Sequence, residues 1–120
     1  MDYCFKKFNK SSLEDYLNSE EYLNSDIWPI SFHKAASHVN NPRIDNDDVI
    51  LIIVEHEGKI IGYRSILSDW IFNGDEKIKL GWNSGAWIDP EYRRKGLAND
   101  LLEEVYDAWG GRLLYATQSS

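Results

Sequence analysis

The chain has 120 residues, 42% of them hydrophobic and 13% aromatic, and a formal net charge of -7. That length and composition describe one globular domain, residues 1–120, and exclude a disordered chain. The acidity excludes the broad basic surface that nucleic acid or an anionic membrane needs, while leaving room for a local basic patch on a small polyanion.

Along the chain, "YCFKKF" alternates apolar and polar residues and predicts a short strand, with Cys4 as a small core residue. A single cysteine excludes an internal disulfide and a cysteine-based zinc site, and fits a reducing compartment. Asp2, Lys6, Lys7 and Lys10 interrupt the start where a secretory leader would be apolar. Ser11 and Ser12 stand three residues before Glu14 and Asp15, a capping-box spacing that predicts a helix over "LEDYLNSEEYL". A second helix is expected from Pro29 through "ISFHKAASHV", since the missing N–H of proline costs nothing at a first helical position. His33 and His38 are five apart there, poor spacing for a shared metal.

From Val49 the period changes. "VILIIV" is far shorter than the ~20 residues of a membrane helix and predicts a strand covered on both faces. "VILIIVEHEGKIIGYRSIL" reads as a hairpin turning at Glu57–Gly58, and "DWIFNGDEKIKLGWNSGAWI" as another turning at Asn73–Gly74. The third strand of this run ends near Ile88, with a bulge expected at Ser84–Gly85. Trp70, Trp82 and Trp87 are expected in the core, with Trp82 or Trp87 also able to line a pocket. Asp89–Pro90 breaks the strand, and a helix follows with Leu97, Leu101, Leu102, Val105 and Trp109 on one face and Gly110–Gly111 as its stop. "RLLYAT" predicts a final strand. The whole is an α/β (α+β) arrangement with a mixed sheet, whose last strand–helix–strand unit gives a parallel pair.

Between strand and helix lies "DPEYRRKGLANDLL", which sets Arg93, Arg94 and Lys95 against Gly96. The first turn of a helix carries N–H groups without intrahelical partners and the positive end of the helix dipole. Three cations there oppose the dipole by about 0.3–1 kcal/mol each, so they make sense around an anion. Gly96 and the small Ala98 let a phosphate approach the backbone.

The segment "WIDPEYRRKGLANDLL" resembles the acyl-CoA-binding motif of the GNAT N-acyltransferase superfamily, Arg/Gln-x-x-Gly-x-Gly/Ala, with Arg93, Gly96 and Ala98 at its defining positions. The order of elements from residue 2 to residue 117 resembles that family's first five strands and three helices. The resemblance implies acetyl-CoA as co-substrate, its pyrophosphate on the backbone of Arg94, Lys95, Gly96, Leu97 and Ala98 with Arg93 beside it. It implies a pantetheine arm pairing with Ala86, Trp87 and Ile88, and direct attack of a primary amine on the thioester without a metal. The acceptor would be a small-molecule or peptide amine, and the acidic residues around "EEYLNSDIW" hint at a cationic one. Asp69 and Glu55 are candidates for the proton-accepting carboxylate, and Ser84 for positioning a water. Against the family pattern, "YATQSS" comes directly after the fifth strand, and Tyr115 does not match the tyrosine that protonates the thiolate. Three expectations follow for a fold truncated there: a piece of a longer acyltransferase, a homo-oligomer completed by another chain, or a non-catalytic coenzyme-A-binding or protein-interaction half-domain. A cytoplasmic location is expected in each case.

Overall fold

The computed structural model describes residues 3–24, 39–42, 44–94, 96–110 and 113–114. The helix expected from Pro29, with His33 and His38, lies outside them apart from Val39, which is buried. Lys95 and Tyr115 also lie outside them. Strands β1 (Cys4–Phe8), β2 (Leu51–His56), β3 (Lys59–Asn73), β4 (Glu76–Ile88) and β5 (Leu113–Leu114) form one sheet in chain order. Neighbours are antiparallel except β4 and β5, which are parallel and joined through a helix, as a parallel pair requires.

The apolar run in β2 has the expected cause. Leu51, Ile52, Ile53 and Val54 are at most 1% exposed, because successive side chains leave on opposite faces and both faces are covered. Leu51 and Ile53 join Leu13, Tyr16, Leu17 and Tyr22. Ile52 and Val54 join Leu97, Leu101, Val105 and Trp109. Helices α1 (Lys10–Leu17) and α2 (Glu20–Leu23) therefore cover one face, and α3 (Leu97–Trp109) the other. Trp109 ties its face together further, its indole N–H donating to the Val49 carbonyl at 2.8 Å.

The turns hold one agreement and one correction. Glu57 and Gly58 both take positive φ, 53° and 78°, as the first hairpin requires. The second hairpin turns one residue later than the sequence suggests: Asn73 still pairs with Glu76, and Gly74, at φ 66°, takes the first corner. Helix α1 is also capped differently from expectation. Asn9 is its N-cap, with Oδ1 accepting the Ser12 N–H at 3.0 Å while Ser12 Oγ accepts the Asn9 N–H at 2.9 Å. Ser12 thus fills the reciprocal place expected of a carboxylate. The single helix expected here is two, because Ser19 caps α2 by accepting the Tyr22 N–H at 3.2 Å.

Cys4 is exposed rather than core, at the start of the edge strand β1. Trp70, Trp82 and Trp87 are half-buried, and the fully buried tryptophan is Trp109. Strand β2 stops pairing with β3 at Ser65, so Trp70, and Trp82 opposite Leu67, stand on a β3–β4 ribbon that overhangs the doubly covered centre.

Candidate active site

The expected bulge sits in β4. Ser65 pairs with Gly85 and Ile66 with Asn83, which leaves Ser84 as the unmatched residue. Just before it the described pairing with β5 ends. Among the described residues β5 pairs with β4 at Gly81–Leu113 and Trp82–Leu114. Beyond Trp82, residues 83–88 of β4 have β3 on one edge and no described strand on the other.

That edge presents its backbone groups selectively. A Cβ placed on Gly62 would stand 3.1 Å from the Trp87 carbonyl, so this carbonyl points into the β3–β4 seam. By strand alternation the peptide groups of Ala86 and Ile88 face the open side. The Ile88 carbonyl accepts the Arg93 Nε–H at 2.9 Å, whereas Ala86, which is exposed, has no partner for its peptide group on this side among the described residues. Gly62 also explains how close the strands lie, since its added Cβ would meet Ile88 Cδ1 at 2.8 Å.

The edge leads into the basic loop. Asp89 caps a short 3-10 turn, Pro90–Tyr92, with Oδ1 accepting the Glu91 N–H at 2.9 Å. Its own N–H donates to the Ile61 carbonyl at 2.8 Å, and Lys59 Nζ lies 3.4 Å from Oδ2. The Glu91 N–H, with Lys59 and Arg93 assisting against burial, holds the Asp89 carboxyl below the usual carboxylate range. Arg93 is extended, Arg94 takes a left-handed φ of 66°, and Gly96 follows at φ 80°. A left-handed arginine costs about 1–3 kcal/mol, a strain that collects at ligand sites.

Helix α3 then starts from Gly96 with no side chain capping it. A Cβ on Gly96 would meet nothing within 4 Å, so open space lies over the helix start. Arg93, Arg94, Gly96 and Ala98 are exposed, whereas Leu97 is 1% exposed and anchors the helix in the core. Uncapped first-turn amides, open space and two exposed guanidinium groups fit a diphosphate.

On the α1–α2 face, Tyr63 stacks against Trp87 at 6.0 Å between ring centroids. Alternation along β3 puts Leu67 and Asp69 on the same face as Tyr63, and cross-strand pairing adds Trp82. Asp69 is held at both oxygens: Oδ1 accepts the Trp70 N–H and Oδ2 the Trp82 Nε1–H, each at 2.8 Å. The Ser84 hydroxyl lies outside what is described. Glu55 is set aside as a site carboxylate: it stands on β2, two strands from β4, and pairs with Lys6 at 3.1 Å. No group of three or more potential metal ligands occurs among the described residues.

The link from Trp82 to Asp69 is the feature sequence reasoning missed. A turn at Asn73–Gly74 would set Trp82 opposite Ser65. The observed turn sets it opposite Leu67, diagonal to Asp69. Gly74 as the first corner was the available signal.

A family model described as "Acetyltransferase (GNAT) family" matches residues 10–118. No curated protein matches the chain. Among solved structures, a GNAT family acetyltransferase of Staphylococcus aureus is 16% identical with a TM-score of 0.60, over 100% of this chain and 89% of that one. Glucosamine-6-phosphate N-acetyltransferase of Arabidopsis thaliana is 17% identical with a TM-score of 0.59, over 98% and 84%. The aminoglycoside N-acetyltransferase AAC(6')-Iy in complex with CoA is 16% identical with a TM-score of 0.57, over 98% and 81%. Identities this low speak for the fold.

Proposed function

The chain belongs to the GNAT acetyltransferase family, and from that premise we propose that it transfers an acyl group, acetyl first among them, from coenzyme A to a primary amine within a ternary complex. The observation that carries this reading is the junction itself, where an uncapped helix start under open space follows directly on a strand segment that has β3 as its one partner among the described residues. Those two features match the two ends of the coenzyme, an anionic diphosphate and an extended amide-bearing arm.

In this reading the backbone of Arg94, Lys95, Gly96, Leu97 and Ala98 holds the diphosphate, with Arg93 and Arg94 adding charge. Ala86 is the strand residue whose peptide group pairs with the arm. Trp87 contributes its ring rather than its backbone, and Ile88 the carbonyl that fixes Arg93. Coenzyme A supplies an activated thioester, so this chain's work is to hold two reactants together and to manage protons. Asp69 takes a proton from the acceptor ammonium, directly or through water positioned at Ser84. The free amine then forms the new C–N bond at the thioester carbonyl while the C–S bond breaks, and coenzyme A leaves as a thiolate that takes a proton from solvent. No metal enters the scheme. Structural neighbours named for aminoglycosides and glucosamine-6-phosphate support a small-molecule amine as acceptor. We place the reaction in the cytoplasm on the strength of the lone, exposed Cys4.

Calorimetry with acetyl-CoA, followed by thiol release across a panel of amines, tests the reading. Binding with amine-dependent release is expected. Binding without release from any amine would reduce the protein to a coenzyme-A-binding module.

A further inference from the structure

We propose that Trp82 is a positioning residue for acyl transfer, its indole N–H holding the Asp69 carboxylate toward the acceptor two residues before the β4 bulge. The inference rests on the acetyltransferase reading above and adds a residue to it.

Trp82 and Trp109 both donate through their indoles, and they use the bond differently. Trp109 is 1% exposed and satisfies a backbone carbonyl, which is what a core tryptophan does. Trp82 is half-buried and directs its N–H to a carboxylate oxygen at 2.8 Å. The bond crosses diagonally from β4 to β3, a reach that a long side chain can span. With the Trp70 N–H on the other oxygen, the Asp69 carboxylate has a fixed direction.

The location gives the bond its meaning. Trp82 is the last β4 residue paired with described β5, and the unmatched Ser84 follows two positions on. Thus the Trp82–Asp69 link ties β4 to β3 just before the bulge at Ser84, on the face shared with the Tyr63–Trp87 stack. A carboxylate that must meet an ammonium needs such orientation, because a small misplacement of a reacting group is expensive in rate. A mere cross-strand tie would stabilise the ribbon without affecting turnover, and the two roles separate experimentally.

The test is a double-mutant cycle on the full chain, with wild-type thiol release measured first, since that result carries the acetyltransferase reading independently. Trp82→Phe keeps the ring and removes the donor. It is expected to lower kcat about tenfold, the usual weight of a hydrogen bond to a charged group, with KM for acetyl-CoA unchanged. Asp69→Asn is expected to lower kcat about a hundredfold. The double variant should be no slower than Asp69→Asn alone, because the indole then has no carboxylate to orient. Losses that multiply to about a thousandfold would overturn the assignment. So would an unchanged kcat in Trp82→Phe, or a drop there matched by an equal loss of folded protein at the assay temperature.

Discussion

Strand β2 and the last residues of β4 belong to one sheet, yet they stand in opposite conditions. β2 has β1 and β3 on its edges and helices over both faces, and Leu51 to Val54 are essentially without solvent exposure. Residues 83–88 of β4 keep β3 on one edge, while the pairing described on the other stops at Trp82. The first region uses its backbone groups to build the sheet. The second engages β3 alone among the described residues, and small residues and a bulge mark the change. Stability and binding should therefore separate when the two regions are perturbed.

The largest effect expected is in the covered region. Trp109→Ala removes a fully buried ring and its bond to Val49, and should cost about 3–5 kcal/mol of stability. Chemical denaturation measures this, and a loss under 1 kcal/mol would mean that α3 is not the cover it appears from its packing. At the open region the pattern should invert. Gly96→Glu sets a carboxylate in the open space over the α3 start, and acetyl-CoA affinity should fall at least a hundredfold. Its stability cost should be limited to about 1–2 kcal/mol for a left-handed non-glycine residue. Equal affinities by calorimetry would break the contrast between the regions.

The same contrast explains what could be read from the sequence. Strand β2, helix α3 and the Glu57–Gly58 turn were legible because burial imposes period and a positive φ imposes glycine. The bulge at Ser84 was legible from Gly85 within a strand. The Asn9 cap was not, because Asn9 and Ser12 satisfy one another with no carboxylate, outside the pattern sought. Register in the β3–β4 ribbon was lost through a one-residue error in the turn, and with it the Trp82–Asp69 bond. The loop residues were legible as a charged motif, but not the turn of Arg93 back onto Ile88. A side-chain bond to a particular carbonyl leaves no periodic trace.

Arg93 sharpens the comparison because it belongs to both regions at once, by its bond to Ile88 and by its charge at the helix start. Arg93→Ala should weaken acetyl-CoA binding about tenfold in dilute buffer. Most of that loss should vanish near 1 M salt, where the Debye length has shrunk to about 3 Å. A loss independent of salt would assign the residue to holding β4 instead. Arg93→Lys, which keeps charge and cannot reproduce the Nε bond, separates the two contributions.

The smallest effect lies at Asp89, where the open region is moored to the covered one. The Glu91 N–H, with Lys59 beside it, depresses the Asp89 carboxyl in the folded state. A depressed acid stabilises the fold at any pH above its unfolded value of about 3.9, and this contribution disappears as the pH drops through the folded value. Asp89→Asn can still accept the Glu91 N–H but cannot titrate. Its Tm should therefore lie below that of wild type at neutral pH, and the gap should close as the pH is lowered beyond 4. A gap that stays constant down to pH 2 would show that Asp89 holds the turn by shape alone. If it closes, the junction between sheet and loop depends on a charge, and acid should loosen the loop before it melts β2.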